Sequence, residues 1–251
     1  MIVTTAFVRG IASLLGVAMP VASVAQGYQV QPMLATIAPA GAKAHLTMAI
    51  KNSGSVPITL ELTAFRATAD RAGTPTRVDE DKDMLVYPAQ TSIAPGKEQT
   101  VQVRYIGDAA LTEARMYGVR VSQLPVAAPG AMLAKGASGA ASDVKVSFNF
   151  LSHIIVSPDA AKPVITVVDT GRAANGDLLL KIDNEGTGIA ILNATDVKLT
   201  DTAGKTVTVA SDDLQVGGFS AFMPRQSRDA RVLAKNLTGL VGTIKPTITV
   251  Q

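Results

Sequence analysis

Asp143-Val144-Lys145-Val146-Ser147-Phe148-Asn149-Phe150 alternates polar and apolar residues without a break, directly after the small-residue segment 126–142, VAAPGAMLAKGASGAAS. A period of two puts the valines and phenylalanines on one face of a β-strand and the polar residues on the other. Such a strand either closes its own sandwich or offers its apolar face to another chain. Segment 126–142 has little charge and no hydrophobic period, which predicts a mobile loop feeding the strand. Beyond the strand, Pro158-Asp159-Ala160-Ala161-Lys162-Pro163 carries two prolines, which restrict their neighbours and remove backbone donors. That predicts a short, stiff hinge.

Working outward, the 251 residues suit two domains of roughly 100 residues each. From Gln26 onward the chain reads as short runs of Val, Ile, Thr and Leu punctuated by Gly, Pro, Asn and Asp, and nothing sustains a helical period. Strands are expected at 28–30, 45–52, 58–66, 84–87, 99–105, 116–124 and 144–156. A second set is expected at 164–169, 178–184, 189–200, 206–210, 220–223, 230–234 and 242–250, with Asn175-Gly176 as a hairpin turn. The fold class is therefore all-β, with one sandwich in 26–158 and another in 159–251.

Residues 1–25 stand apart. Arg9 is their only charge, the stretch after it is apolar but for one serine, and Ser23-Val24-Ala25 supplies small residues before Gln26. This predicts a secretory signal peptide cleaved before Gln26. The apolar run is shorter than the ~20 residues that span a bilayer, and no later segment is long enough, so membrane insertion is not expected. The chain has no cysteine, so each sandwich must stand on its own core and thiol chemistry is excluded. Losing Arg9 lowers the formal charge from +3 to +2, and the remaining charges are interspersed. Clustered Lys/Arg with aromatics between them, as nucleic acid binding requires, is lacking.

No residue constellation demands catalysis. The two histidines, His45 and His153, each lie within a strand run and read as structural. Asp79-Glu80-Asp81-Lys82-Asp83 begins like a calcium loop, but Met84 stands where the loop needs glycine and Gln90 where it needs glutamate. A solvated loop is expected there. Gly186-Thr187-Gly188 lacks the strand-turn-helix context of a phosphate cradle and reads as a turn. No metal, cofactor or enzymatic activity is expected.

The ordered set Ile50-Lys51-Asn52-Ser53-Gly54, Pro57, Asp70, Gly73, Tyr87-Pro88, Ile93-Ala94-Pro95-Gly96, QTVQVR at 99–104 and MYGVRVSQLP at 116–125 resembles the periplasmic chaperones of the chaperone-usher route of pilus and fimbrial assembly. The likeness covers most of 26–158, while 159–251 matches loosely through Phe222-Met223-Pro224-Arg225-Gln226-Ser227. It implies two immunoglobulin-like sandwiches set at an angle, a periplasmic location, and no enzyme. It also implies pilin-like subunits and an outer-membrane usher as partners.

By the same resemblance, Val144, Val146, Phe148 and Phe150 are the side chains of a donor strand that fills the groove of an incomplete subunit. The family's cleft holds the subunit's C-terminal carboxylate with a basic pair. Here those two positions carry His153 and Thr36, a histidine being able to donate to a carboxylate and to respond to pH. Arg104, with Glu113 nearby in pattern, corresponds to an interdomain ion-pair network. An uncapped apolar strand also suggests a self-capping homodimer. The alternative class is an exported structural or adhesive module whose strand at 144–150 pairs within its own fold or with a copy of itself.

Overall fold

The computed structural model describes residues 27–125 and 147–250. The expected signal peptide, the loop at 126–142 and the positions of Val144 and Val146 lie outside them. Ten strands build the first sandwich: β1 (Tyr28–Gln31), β2 (Leu34–Ile37), β3 (His45–Asn52), β4 (Ile58–Ala69), β5 (Pro75–Asp79), β6 (Met84–Tyr87), β7 (Gln90–Ile93), β8 (Glu98–Tyr105), β9 (Arg115–Gln123) and β10 (Asn149–Val156). One sheet has the order β1-β3-β8-β6 and the other β2-β10-β9-β4-β5, with β7 also paired to β4. The chain changes sheets between β1 and β2, at the cis Gln31–Pro32 peptide.

Between the sheets lie Met48, Ile50, Leu60, Val101, Val119 and Ile154, among others, all fully buried. Each such side chain contributes roughly 1.5–3 kcal/mol gross, which is how a domain without disulfides holds. Tyr117 is also fully buried and donates its hydroxyl to Asp83 Oδ2 at 2.6 Å. Burial, followed by that bond, pushes the phenol pKa up, so it stays a donor. The acidic stretch read as a solvated loop thus has a structural role at both ends: Asp83 receives Tyr117, and Asp79 pairs with Arg120 at 2.9 Å.

The second sandwich comprises β11 (Ile165–Arg172), β12 (Leu178–Asn184), β13 (Ala190–Ile191), β14 (Thr195–Thr200), β15 (Thr206–Val209), β16 (Leu214–Gln215), β17 (Ala221–Phe222), β18 (Ser227–Val232) and β19 (Lys245–Val250). Its sheets are β11-β12-β18-β16 and β15-β14-β19, with the short pair β13-β17 beside them. Asn175-Gly176 turns the β11–β12 hairpin as expected, Gly176 taking φ +86°. The expected strand 189–200 is broken by a 3₁₀ turn at Leu192–Ala194. Asn184, buried, ties the start of this sandwich together: its amide donates to the carbonyls of Gly188, Phe222 and Met223, and its oxygen accepts from Val164 and Gly186. The hinge segment lies against the Gly186-Thr187-Gly188 turn, where Lys162 O accepts from both Thr187 N and Gly188 N at 3.0 Å.

Strand β10 decides how the parts relate. Its even-numbered residues Ser152, Ile154 and Val156 point into the first core, where Ser152 donates to Pro32 O at 2.7 Å. Its odd-numbered residues Leu151, His153 and Ile155 point the other way, the last of them buried in a third apolar cluster shared with the second sandwich. We predict that Ile154→Ala costs about 2–5 kcal/mol of stability and Phe148→Ala under about 1.5 kcal/mol. Urea unfolding of the two variants checks the difference.

Candidate functional site

Among the described residues, β10 is paired on both sides along only its second half. Antiparallel pairing with β9 runs its full length, from Asn149 opposite Ser122 to Val156 opposite Arg115. On its other side β2 pairs in parallel with His153 to Val156 alone. His153 N donates to Met33 O and Ser157 N to Ile37 O, so odd-numbered backbone groups face the β2 side. By the alternation of a β-ladder, the N–H and C=O of Asn149 and Leu151 face that side too, at a height no described strand covers.

The apolar face changes owner along this edge. Phe150 is half-buried, packed on the first core and edge-to-face with Tyr28 at 4.8 Å between ring centroids. Phe148, on the same face, is 40% exposed. Its carbonyl is held by Gln123 N at 3.3 Å and by the Tyr28 hydroxyl at 2.8 Å. Burial raises the Tyr28 pKa to about 12, so the hydroxyl remains protonated, its one proton shared between Phe148 O and Val121 O at 2.9 Å. The sandwich therefore grips the strand as far as Ser147, whose hydroxyl donates to Gln123 O at 3.0 Å, and leaves the Phe148 side chain outward.

The outer face of the same sheet meets the second sandwich. Phe65, Ala67, Ala69, Ala114, Met116 and Ile155 pack with Phe219, Ala221 and Met223. His153 stands between rings, 5.7 Å from Phe65 and 5.5 Å from Phe219, centroid to centroid. Phe65 reaches it across Gly118: a Cβ at residue 118 would come within 2.3 Å of the Phe65 ring and 2.4 Å of Ser152 O. Arg77 lies over the opposite partner, 5.7 Å from the Phe219 ring centroid. Burial, and then the Arg77 charge, holds the His153 pKa below its ordinary value, so the ring is neutral at pH 7. Thr36, exposed on β2, shares this face, its register partner Ile155 being two residues beyond His153.

Arg228 shapes the loop that presents Phe219. It is fully buried and donates to the carbonyls of Val216, Phe219 and Ala221, at 3.1, 2.7 and 3.1 Å. The β4–β5 turn of the first sandwich sits directly on this loop. Gly73, at φ +79°, approaches so closely that a Cβ would lie 2.3 Å from Val216 O and 2.9 Å from Arg228 Nη1. Backbone bonds Asp229 N to Arg71 O (3.0 Å) and Ala114 N to Thr187 O (2.8 Å) cross the same junction.

Of the expected interdomain pair, the structure puts only one member at the junction. Glu113 pairs with Arg225 Nε at 3.1 Å, and Arg225 also donates to Glu185 O from a left-handed backbone at φ 58°. Arg104 is a correction: it is exposed on the outer face of the β1-β3-β8-β6 sheet, opposite His45 and Leu85. The strand phase carries it there, because Val103 and Tyr105 take the inward positions. Among the described residues no group of three acidic or histidine side chains is placed to hold a metal.

No family model matches the chain, and no curated protein matches it in sequence. Solved structures do. A class 5 fimbriae chaperone, CfaA, superposes with a TM-score of 0.56 at 11% identity, over 90% of this chain and 99% of that one. A chain of the CsuC–CsuE chaperone–tip adhesion subunit complex, from the archaic Csu pili of Acinetobacter baumannii, gives 0.53 at 12%, over 89% and 97%. A chain of the Salmonella enterica SafA pilin–SafB chaperone complex gives 0.51 at 17%, over 90% and 97%. The chain thus has the two-domain immunoglobulin-like sandwich fold of the pilus chaperones, as its sequence resemblance implied.

Replacing Arg228 by Leu would strip three buried carbonyls of their donor, at roughly 1–3 kcal/mol for each group left unsatisfied. Glu113→Gln, which breaks an exposed pair, should cost under about 1 kcal/mol. Thermal unfolding is expected to show a large loss for the first and almost none for the second.

Proposed function

We propose that this chain is a non-enzymatic periplasmic chaperone that stabilises pilus or fimbrial subunits by lending them a strand and delivers them to an outer-membrane usher. The observation that carries the reading is the open edge of β10 at Asn149 and Leu151, continuous with the exposed Phe148 and with the Val144–Val146 alternation before it. A strand paired on one side and bare on the other offers backbone hydrogen bonds to an incomplete sandwich, while alternate side chains enter its groove. The fold shared with chaperones solved in complex with a pilin or a tip subunit supports this choice of partner.

In this reading Val144, Val146 and Phe148 fill the subunit's groove, and Phe150 marks where the strand returns to its own core. Burying three such side chains is worth on the order of 5–9 kcal/mol gross, before ordering costs. The domains divide as 26–158 and 159–251, after a leader at 1–25 removed before Gln26. The cleft beside His153 and Thr36 receives the subunit's C-terminal carboxylate. Its positive charge comes from Arg77, since His153 is held neutral.

The test is co-purification from the periplasm with a pilin-like subunit encoded beside this gene. Wild type is expected to retain the subunit and the folded Val146→Asp/Phe148→Asp double variant to lose it. Equal retention by both, or by neither, contradicts the reading and leaves the structural or adhesive module, with the strand pairing to its own fold or to a copy of itself.

A further inference from the structure

His153 is a titratable group set into the seam between the two sandwiches. Its Nε2 is buried without a hydrogen-bond partner, and so is Nε of Arg77, which shares the Phe219 ring with it. A proton added to this half-buried imidazole would put a second cation beside Arg77 between apolar rings, its Nε2–H left without an acceptor unless the faces part.

The surrounding charges offer it no rescue. From β5 come Arg77 and Asp79, and from β9 Arg120, but the Asp79 carboxylate is already engaged by Arg120 at 2.9 Å. From the second sandwich comes Arg228, a further cation whose Nη1 and Nη2 donate to loop carbonyls and whose Nε is buried without a partner. At this height β2 contributes Leu34 and Thr36, and β4 contributes Phe65, none of them charged. We propose that His153 is a proton-operated latch, whose protonation in mildly acidic solution loosens the contact between the two sandwiches in the free protein.

The sign follows from linkage. With the faces apart, the imidazole regains its ordinary pKa near 6.5, while the closed junction holds it lower. The advantage of the closed state is complete above about pH 6.5 and is lost as pH falls toward the closed-state pKa, by at most about tenfold in the closed-to-open ratio per pH unit.

The test is amide hydrogen exchange on the full chain, comparing wild type with His153→Leu at pH 7.5 and at pH 5.5. Comparison at equal pH cancels the intrinsic exchange rate. The informative amides are Ala114 and Asp229, which bond across the junction to Thr187 and Arg71. The ratio of wild-type to variant protection there is expected to fall by up to about tenfold on acidification, with β3 and β8 unaffected. An unchanged ratio, or an equal fall in β3 and β8, overturns the proposal. Should His153→Leu fail to fold, Arg77→Gln replaces it: removing the competing cation must shrink the acid loss at these two amides, and an undiminished loss overturns the latch.

Discussion

Everything in this molecule turns on the two-residue period of β10. A strand cannot choose its side-chain directions independently, so fixing Ile154 and Val156 in the first core commits Leu151, His153 and Ile155 to the opposite face. The same phase then sends Phe150 onto Tyr28 and Phe148 outward beyond it. One strand thereby closes a sandwich, builds a domain junction and presents a bare edge. A shift of one residue would exchange all three roles at once.

The junction is held by buried groups more than by charges. Arg228 has no carboxylate partner within the loop and donates from Nη1 and Nη2 to three carbonyls, with the Phe222 ring 5.5 Å away. That fixes the backbone from which Phe219 reaches His153. The crossing ion pairs Arg71–Asp229 and Glu113–Arg225 are largely exposed, where water and salt screen them. Removing the side chain at residue 118 is what lets Phe65 and His153 touch across β9. Packing therefore sets the geometry of the seam, and the surface pairs trim it.

Much of the fold was legible from period and punctuation. The strands at 45–52, 84–87 and 178–184 match β3, β6 and β12 residue for residue, the first an alternating run and the other two short apolar runs bounded by polar turn residues. The missed strands β2, β5, β7 and β16 are two to five residues long, too short for a period to declare itself. In β5 the phase even misleads, with Val78 exposed and Arg77 half-buried. Arg228 carried a usable signal, since it shares the buried phase of β18 with Ala230 and Val232. The surroundings of His153 carried none. Phe65 and Phe219 come from distant parts of the chain and meet it only through sheet order and the docking of the two sandwiches. The interdomain role expected of Arg104 fell for the same reason, its strand lying in the sheet that faces away from the seam.

The edge of β10 at Asn149 and Leu151 is proposed to be where an incomplete subunit docks. The most direct measurement is residue-resolved amide exchange of the full chain with and without a bound pilin-like subunit. The N–H groups of Asn149 and Leu151 are predicted to gain strong protection in the complex, while Phe150 and Ser152, which face β9, change little. A stable complex in which Asn149 and Leu151 exchange as fast as in the free protein would contradict strand donation outright.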